Sequence, residues 1–345
     1  MSRLLYILMT LILLVSCSVD QLKEQNPGRE IEFRVVATKG GALTMGNFET
    51  FKVIAFKEDG TLYYEDTYEF NGERYMSAEK HLWPTDGSDL KFHAYSQYGD
   101  QPSGVENTEG GALILEDFTP DEDISKQVDL VHATATGNKN ITGAVGLDFC
   151  HSLSQIEIKG KNINPNYKFE VLGVRIANVA SVADFNFQDC SLDSSGSTVY
   201  EILYDTPRTL DSQPISLMKA EDDNAFLIPQ ELCPWSPSSD PTNEDGHTYL
   251  ALKVKITTAD TGSKVYPVLD VEGDWIALPI DGIWEAGYKY TYIWELSTAT
   301  GYIDPNKKTD AIDIEFFPPG APVMGSQITV LSPSVNKWET GDVNN

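Results

Sequence analysis

Asp270, Glu272 and Asp274 occupy alternate positions of a strand-like stretch, an arrangement that puts all three carboxylates on one face of an extended chain. Such a trio could hold calcium or serve as a general acid and base pair. In a chain with 52 Asp+Glu against 25 Lys+Arg, a solvated strand face accounts for the same pattern. The runs Asp121-Glu122-Asp123 and Glu221-Asp222-Asp223 beside turns read as solvated loops. His81, His93, His132, His151 and His247 are scattered, and lone histidines on strands are more often structural than ligands. Trp83, Trp235, Trp275, Trp284, Trp294 and Trp338 could form a sugar-stacking platform, although aromatic residues on alternating strands usually belong to a core. No G-x-S-x-G, H-E-x-x-H, phosphate-binding loop or dinucleotide fingerprint occurs. The expectation is a protein that is not an enzyme, with no catalytic residue, metal or cofactor.

The residue whose surroundings specify a reaction is Cys17. Arg3 supplies a positive start, and Leu4 to Val15 (LLYILMTLILLV) is an uncharged apolar run. A spanning helix needs about 20 residues, so this run has the length of a signal-peptide core instead. It ends in Leu14-Val15-Ser16-Cys17, which resembles a bacterial lipobox. The small Ser16 lets a peptidase approach the Ser16–Cys17 bond, and the Cys17 thiol is the nucleophile that accepts diacylglycerol and then palmitate-type chains. Each buried methylene contributes roughly 0.8 kcal/mol, so two or three chains would anchor the protein without a transmembrane helix. The expected state is lipid-anchored at a membrane surface. The alternative is an ordinary secretory signal with an incidental cysteine. Cys150, Cys190 and Cys233 remain, an odd number with no metal-binding spacing, and they read as buried thiols with at most one bridge.

The net charge of −27 excludes nucleic acid and anionic membrane surfaces as electrostatic partners, since both would repel the chain. Losing residues 1–16 removes Arg3 and makes the balance one unit more negative, so a lipid tether rather than charge attraction must hold the protein at a bilayer. An apolar fraction of 41% over 345 residues argues for folded domains rather than an acidic disordered tail.

Positioning elements follow from period-2 patterning. Residues 17–30 read as a polar tether. Ile31, Phe33, Val35 and Ala37 then alternate with polar neighbours; Phe51, Val53 and Ala55 do the same; and Glu58-Asp59-Gly60 turns the chain into Thr61 to Phe70. Further strands are expected at Leu90–Tyr95, Leu113–Leu115, Val128–Thr136, Val145–Lys159 (with a bulge near Ser152 to Gln155), Tyr167–Ile176, Ser181–Phe187, Leu250–Thr257, Val265–Val271 and Tyr288–Leu296. Short strands with turn signals and no 3.6-residue period indicate an all-β sandwich or barrel. A polar break at Gly137 to Asn140 suggests two β-domains, 31–143 and 144–345. Pro234 to Gly246 reads as a long surface loop. Strand-competent sequence continues after Leu296 in an extension of about 297–345, with Ile312, Ile314 and Phe316 on one face, then Gln327 to Leu331, carrying Ile328 and Val330, and finally Val335 to Trp338.

Several local patterns together resemble the fimbrillin family of Bacteroidia, the Mfa-like subunits of type V pili. Ile31-Glu-Phe33-Arg-Val35-Val36-Ala37-Thr38-Lys39 is similar to the family's first strand and the basic residue after it. Leu82-Trp83-Pro84, Leu90-Lys-Phe92-His-Ala94-Tyr95, and the stretch from Leu147 and Phe149 through His151, Leu153 and Ile156 follow in the family's order. Leu227-Ile228-Pro229-Gln230, the Trp284, Gly287, Tyr288 and Tyr290 pattern, and the late Trp338 complete it. The resemblance implies two tandem transthyretin-like β-sandwich domains, export as a lipoprotein to the outer face of the outer membrane, and a fimbrial subunit with a role in adhesion.

It also implies assembly by donor-strand exchange with other fimbrillin subunits. A protease cuts after the basic residue, the first strand leaves, and a neighbour's C-terminal segment fills the groove. The leaving strand would carry Ile31, Phe33, Val35 and Ala37; the cut would fall between Lys39 and Gly40; the donor would carry Ile312, Ile314, Phe316, Ile328, Val330 and Trp338. Where the family often has Thr-Arg-Ala, this chain has Thr38-Lys39-Gly40, so an Arg-specific protease would need Arg29, before the strand, or Arg34, within it. The alternative is a monomeric, pilus-tip or anchor lipoprotein that binds glycans or host surface proteins.

Overall fold

The computed structural model describes residues 28–36, 49–97, 105–107, 113–218, 224–268, 272–298, 300–307, 317–325 and 331–337. Among them there is no α-helix, and the alternating sequence forms strands throughout. In chain order the first are β1 (Phe33–Val35), β2 (Thr50–Lys57), β3 (Leu62–Phe70), β4 (Tyr75–Ser77), β5 (Leu90–Gln97), β6 (Val105–Asn107), β7 (Leu113–Phe118) and β8 (Leu130–Gly137). Gly60 takes φ +80° in the β2–β3 turn, the left-handed value that favours glycine, and the Lys57 amide donates to the Thr61 carbonyl at 2.9 Å.

The stretch expected as one bulged strand is three: β9 (Val145–Leu147), β10 (Cys150–His151) and β11 (Ser154–Asn162). Each joins a different sheet, so the shift in its apolar frame marks changes of layer rather than a bulge. There follow β12 (Tyr167–Val179), β13 (Val182–Asn186), β14 (Ser191–Ser195), β15 (Thr198–Thr209), β16 (Ile215–Ser216), β17 (Ala225–Leu227), β18 (Gln230–Leu232) and β19 (Tyr249–Thr258). The remainder are β20 (Lys264–Tyr266), β21 (Asp274–Pro279), β22 (Gly282–Trp284), β23 (Tyr288–Leu296), β24 (Gly301–Ile303), β25 (Pro322–Val323) and β26 (Ser334–Lys337).

These strands form layered sheets, not a barrel. A six-stranded antiparallel sheet, β10-β8-β5-β2-β3-β4, is covered on both faces. One face meets the parallel pair β1–β9 through a core that includes Phe33, Phe51, Tyr68, Phe92, Leu147 and Phe149. The other meets the four-stranded sheet β14-β13-β7-β6 through Ile54, Tyr95, Leu115, Leu153, Phe185 and Phe187. A second core, including Ile156, Ile158, Val171, Leu252, Val254 and Trp294, fills the space between two larger sheets. One is the five-stranded β16-β11-β23-β26 with β17 on β11, and the other the seven-stranded β15-β12-β19-β21-β24-β25 with β20 on β19.

Three pairings span residue 143. β9 lies beside β1, β10 beside β8, and β13 beside β7. Segments late in the chain therefore complete layers begun early in it. The sequence after Leu296 also contributes to the core, because β24 pairs with β21 and buries Ile303 at 1% exposure.

Candidate functional site

The first strand is set into its core more deeply than its length suggests. Period-2 alternation puts Ile31 and Phe33 inward, at 2% and 3% exposure, while Glu32 and Arg34 point out and Val35 is half-buried. Phe33 stands edge to face against Tyr68, Phe92 and Phe51, with ring centroids 4.9, 5.2 and 6.3 Å away. Its side chain is thus the hub of an aromatic cluster drawn from three strands of the six-stranded sheet.

The backbone is held more lightly. Among the described residues β1 has one ladder partner, β9, with Phe33, Arg34 and Val35 opposite Val145, Gly146 and Leu147. The Val145 amide donates to the Glu32 carbonyl at 2.7 Å, and the Val36 amide to the Leu147 carbonyl at 2.8 Å. On the other side, among the described residues, the segment around Leu82 reaches it. Ile31 donates to the His81 carbonyl at 2.8 Å, Trp83 donates to the Arg29 carbonyl at 2.9 Å, and Glu30 bridges Leu82. A Cβ on Gly146 would lie 2.9 Å from Cγ2 of Val36, so the glycine is what allows the strand's end to settle on β9. Exposed ion pairs, Arg74–Glu32 at 2.8 Å and Lys80–Glu30 at 3.2 Å, flank the strand and add little.

Arg29, immediately before this strand, carries a feature that no sequence pattern signals. Its guanidinium donates to the carbonyls of Lys139 at 3.2 Å and Gly143 at 2.8 Å, and also to that of Ile141. The polar stretch that reads as a break in the sequence is therefore the receptor for this side chain. Arg34, by contrast, is exposed opposite Gly146.

At the other end of the chain, β26 forms the outer edge of the five-stranded sheet, antiparallel to β23. Ser334, Val335, Asn336 and Lys337 face Thr291, Tyr290, Lys289 and Tyr288, and all four are exposed, Val335 by 51%. Just before it, the Leu331 amide donates to the Pro279 carbonyl at 3.0 Å. This strand contributes backbone hydrogen bonds but almost no burial.

The other sequence candidates fall elsewhere. Ser16, Cys17, Ala37, Lys39, Gly40, Asp270, Ile312, Ile314, Phe316, Ile328, Val330 and Trp338 lie outside the described residues. Glu272 is exposed, whereas Asp274 is paired with Lys307 at 2.9 Å. Trp83, Trp235, Trp284 and Trp294 are at most 3% exposed, and Trp235 donates its indole N–H to the Asp240 carbonyl at 2.7 Å. None of these four offers a free face to a sugar. Cys150, Cys190 and Cys233 are exposed and unbridged, not buried as expected, because each sits at a strand margin or turn.

His81, His93, His132 and His151 serve packing. His81 stacks on Tyr64 with centroids 3.8 Å apart and bonds Asp66 at 2.7 Å. His132 Nδ1 meets Ser152 Oγ at 2.7 Å, and His151 pairs with buried Asp129. Burial, with help from Lys91 and His132, pushes His93 down to about 4; burial, with help from His151, does the same to His132.

The chain matches the family described as fimbrillin-like over residues 34–338. No curated protein matches it. Among solved structures, a fimbrial protein from Bacteroides vulgatus is 15% identical, with 90% of this chain and 100% of that one covered and a TM-score of 0.57. A candidate cell adhesion protein from Bacteroides uniformis is also 15% identical, with 90% and 99% covered and a TM-score of 0.46. The fimbrial anchor protein Mfa2 from Porphyromonas gingivalis is 13% identical, with 77% and 90% covered and a TM-score of 0.35.

Proposed function

The chain belongs to the fimbrillin-like family, structural proteins rather than enzymes, and on that premise we propose that it is a fimbrial subunit assembled at the cell surface by donor-strand exchange. The observation that carries this reading is the contrast within β1, where deeply buried side chains hang on a backbone with a single ladder partner among the described residues. Removing Ile31 and Phe33 would expose an apolar trough, at roughly 1.5–3 kcal/mol for each side chain, and leave the β9 backbone groups unpaired. An incoming alternating strand restores both, which is the physical basis of β-augmentation. The donor on this reading is the C-terminal segment from Ile312 through Ile314, Phe316, Ile328 and Val330 to Trp338. That its described end, β26, is exposed in its own subunit supports its availability to a neighbour, whereas β25 of the same segment, with Val323 buried, would have to be drawn out.

The lipobox ending at Cys17 supports export as a lipoprotein held on the outer membrane before assembly. The cut that frees β1 falls between Lys39 and Gly40. The engagement of Arg29 with three carbonyls favours that position, because a protease pocket would have to strip the guanidinium from all of them. The domain limits on this reading are 31–143 and 144–345, with β9, β10 and the β13–β14 hairpin lent by the second half to the first.

Mixing a version that lacks residues 17–39 with the intact chain should yield oligomers stable to mild detergent. Persistently monomeric mixtures, together with no effect of deleting residues 312–345, would overturn polymerisation. The N-terminal residue of the surface form separates the roles within a fibre: Cys17 means a retained anchor, and Gly40 a processed stalk.

A further inference from the structure

The outer face of the seven-stranded sheet carries a polar cleft that neither the core nor strand exchange uses. Register places Arg175 of β12 beside Glu201 of β15 and Ala251 of β19, with Ala277 of β21 next in the row. Beside them Gly173 stands at a register shift in β12. A Cβ there would come 2.7 Å from the Ile202 carbonyl oxygen and 3.4 Å from Cη2 of Trp275, so the glycine makes room for the indole to lie across the sheet. The guanidinium of Arg175 sits 3.9 Å from the Trp275 ring centre.

The charges around this floor are arranged in detail. Arg175 donates Nε and Nη2 to Glu201 Oε2 at 3.0 and 2.8 Å, and Nη1 to Asp304 Oδ2 at 2.5 Å. Asp304 Oδ1 accepts the Asn306 amide at 2.7 Å, and Asn306 Nδ2 donates to the Tyr249 hydroxyl oxygen at 2.7 Å. Lys307 and Asp274 close the far wall. The side chains of Asp304 and Lys307 are only 2% and 8% exposed. Burying ion pairs on the outside of a sandwich costs desolvation that packing alone does not require. The cleft encloses about 480 Å³, within the usual range for a small-ligand site.

The chemistry of the lining selects the ligand. Each cation already holds a carboxylate, so an incoming ion would have to displace a partner. A neutral ligand meets no such barrier. Glu201 Oε1 and Asn306 Oδ1 carry no hydrogen bond from the described residues, and the guanidinium has given Glu201 and Asp304 three of its five N–H groups. Vacant acceptors beside a remaining donor suit hydroxyl groups, each of which both donates and accepts. Val199, 42% exposed at the mouth, and the edge of Trp275 offer apolar contact for C–H faces.

We propose that this cleft binds a neutral saccharide of mono- to disaccharide size, held by Glu201, Arg175 and Asn306 and packed against Val199 and Trp275. The proposal does not rest on strand exchange, since the residues that line the cleft, from Arg175 to Lys307, all precede the donor segment.

The full-length chain is titrated with glucose, galactose, N-acetylglucosamine and lactose, followed by saturation-transfer NMR and tryptophan fluorescence. At least one should bind saturably. Asn306→Ala should weaken it about tenfold, the effect of losing one or two hydrogen bonds. Val199→Trp, a change at an exposed edge-strand position, should abolish it with the unfolding midpoint unchanged. No saturable binding by any of the four, binding that survives Val199→Trp, or binding confined to an anionic sugar such as sialic acid would each overturn the proposal.

Discussion

Phe33 meets Tyr68 edge to face, with ring centroids 4.9 Å apart and planes inclined at 84°. This contact joins the short strand β1 of the first core to the long hairpin strand β3, and it lies beside further edge-to-face contacts to Phe92 at 5.2 Å and Phe51 at 6.3 Å. Truncating Phe33 to Ala should therefore cost about 3–5 kcal/mol, the range for deleting a buried aromatic side chain. Urea unfolding measures it. A loss below about 1 kcal/mol would mean that β1 does not fill the trough.

The Arg29 clasp should act differently. Its side chain is exposed, so Arg29→Ala should lower global stability by only about 1 kcal/mol, within the net range of ordinary hydrogen bonds. Its local effect should be larger. Amide exchange at Ile31, Val36 and Val145 should quicken, since these amides carry the backbone bonds of β1 and its partner β9. Unchanged exchange there would show that the clasp does not secure the strand.

How far the sequence foretold this site depends on the face each residue serves. The alternation of Ile31, Phe33 and Val35 is plain because β1 buries one face only. In β2, Phe51, Val53 and Ala55 follow the same rule, yet Ile54 is also buried at 2%, because β7 and β13 cover the sheet's second face. Period-2 reading presumes a wet side and so cannot announce a third layer. β15 went unseen for the opposite reason. It is an edge strand whose exposed positions mix Val199 and Leu203 with Glu201, Asp205 and Thr206, so apolar and polar residues do not sort onto two faces. The Arg29 clasp rests on backbone carbonyls, which no side-chain pattern encodes.

Acid should weaken the fold through the histidines between β5, β8 and the β13 layer. His93 faces Phe56, Phe187, Lys91 and His132, and His132 faces Phe185, Ser152 and the His151–Asp129 pair. Both are pushed from 6.5 to about 4. As pH falls through 6.5 the unfolded chain binds protons that the native state refuses. Stability should decline between about pH 6.5 and 4, by at most about 1.4 kcal/mol per pH unit for each histidine, and then level off. Burial raises the Asp129 carboxyl, which opposes part of this trend. Urea midpoints at pH 7, 5.5 and 4.5 test the slope, and His93→Phe should flatten it; a midpoint independent of pH would refute the assignment.

The ion pair between Arg175 and Asp304 should be destabilising to break yet tolerant of a neutral replacement. Asp304→Ala leaves the guanidinium with Glu201 alone and should cost about 3 kcal/mol, the low end for breaking a buried pair. Asp304→Asn keeps an acceptor in place and should recover part of the loss. Equal losses in the two variants, measured by thermal unfolding, would mean that charge rather than hydrogen bonding holds the site.

Removing β26 should separate stability from assembly. Its four residues are exposed, and its ladder to β23 is an edge whose partner groups can turn to water. A chain ending at Leu331 should therefore keep its fold, with a loss of no more than about 1–2 kcal/mol, while the amides of β23 that faced β26 exchange faster. Added in excess, it should still accept a strand in the groove of β1 but donate less well, having lost β26 and Trp338 from the donor segment, so it should shorten growing oligomers. If the truncated chain unfolds, β26 belongs to the core of its own subunit. If it polymerises like the intact chain, the residues after Leu331 are not needed by the donor, and the segment that fills a neighbour's groove ends before β26.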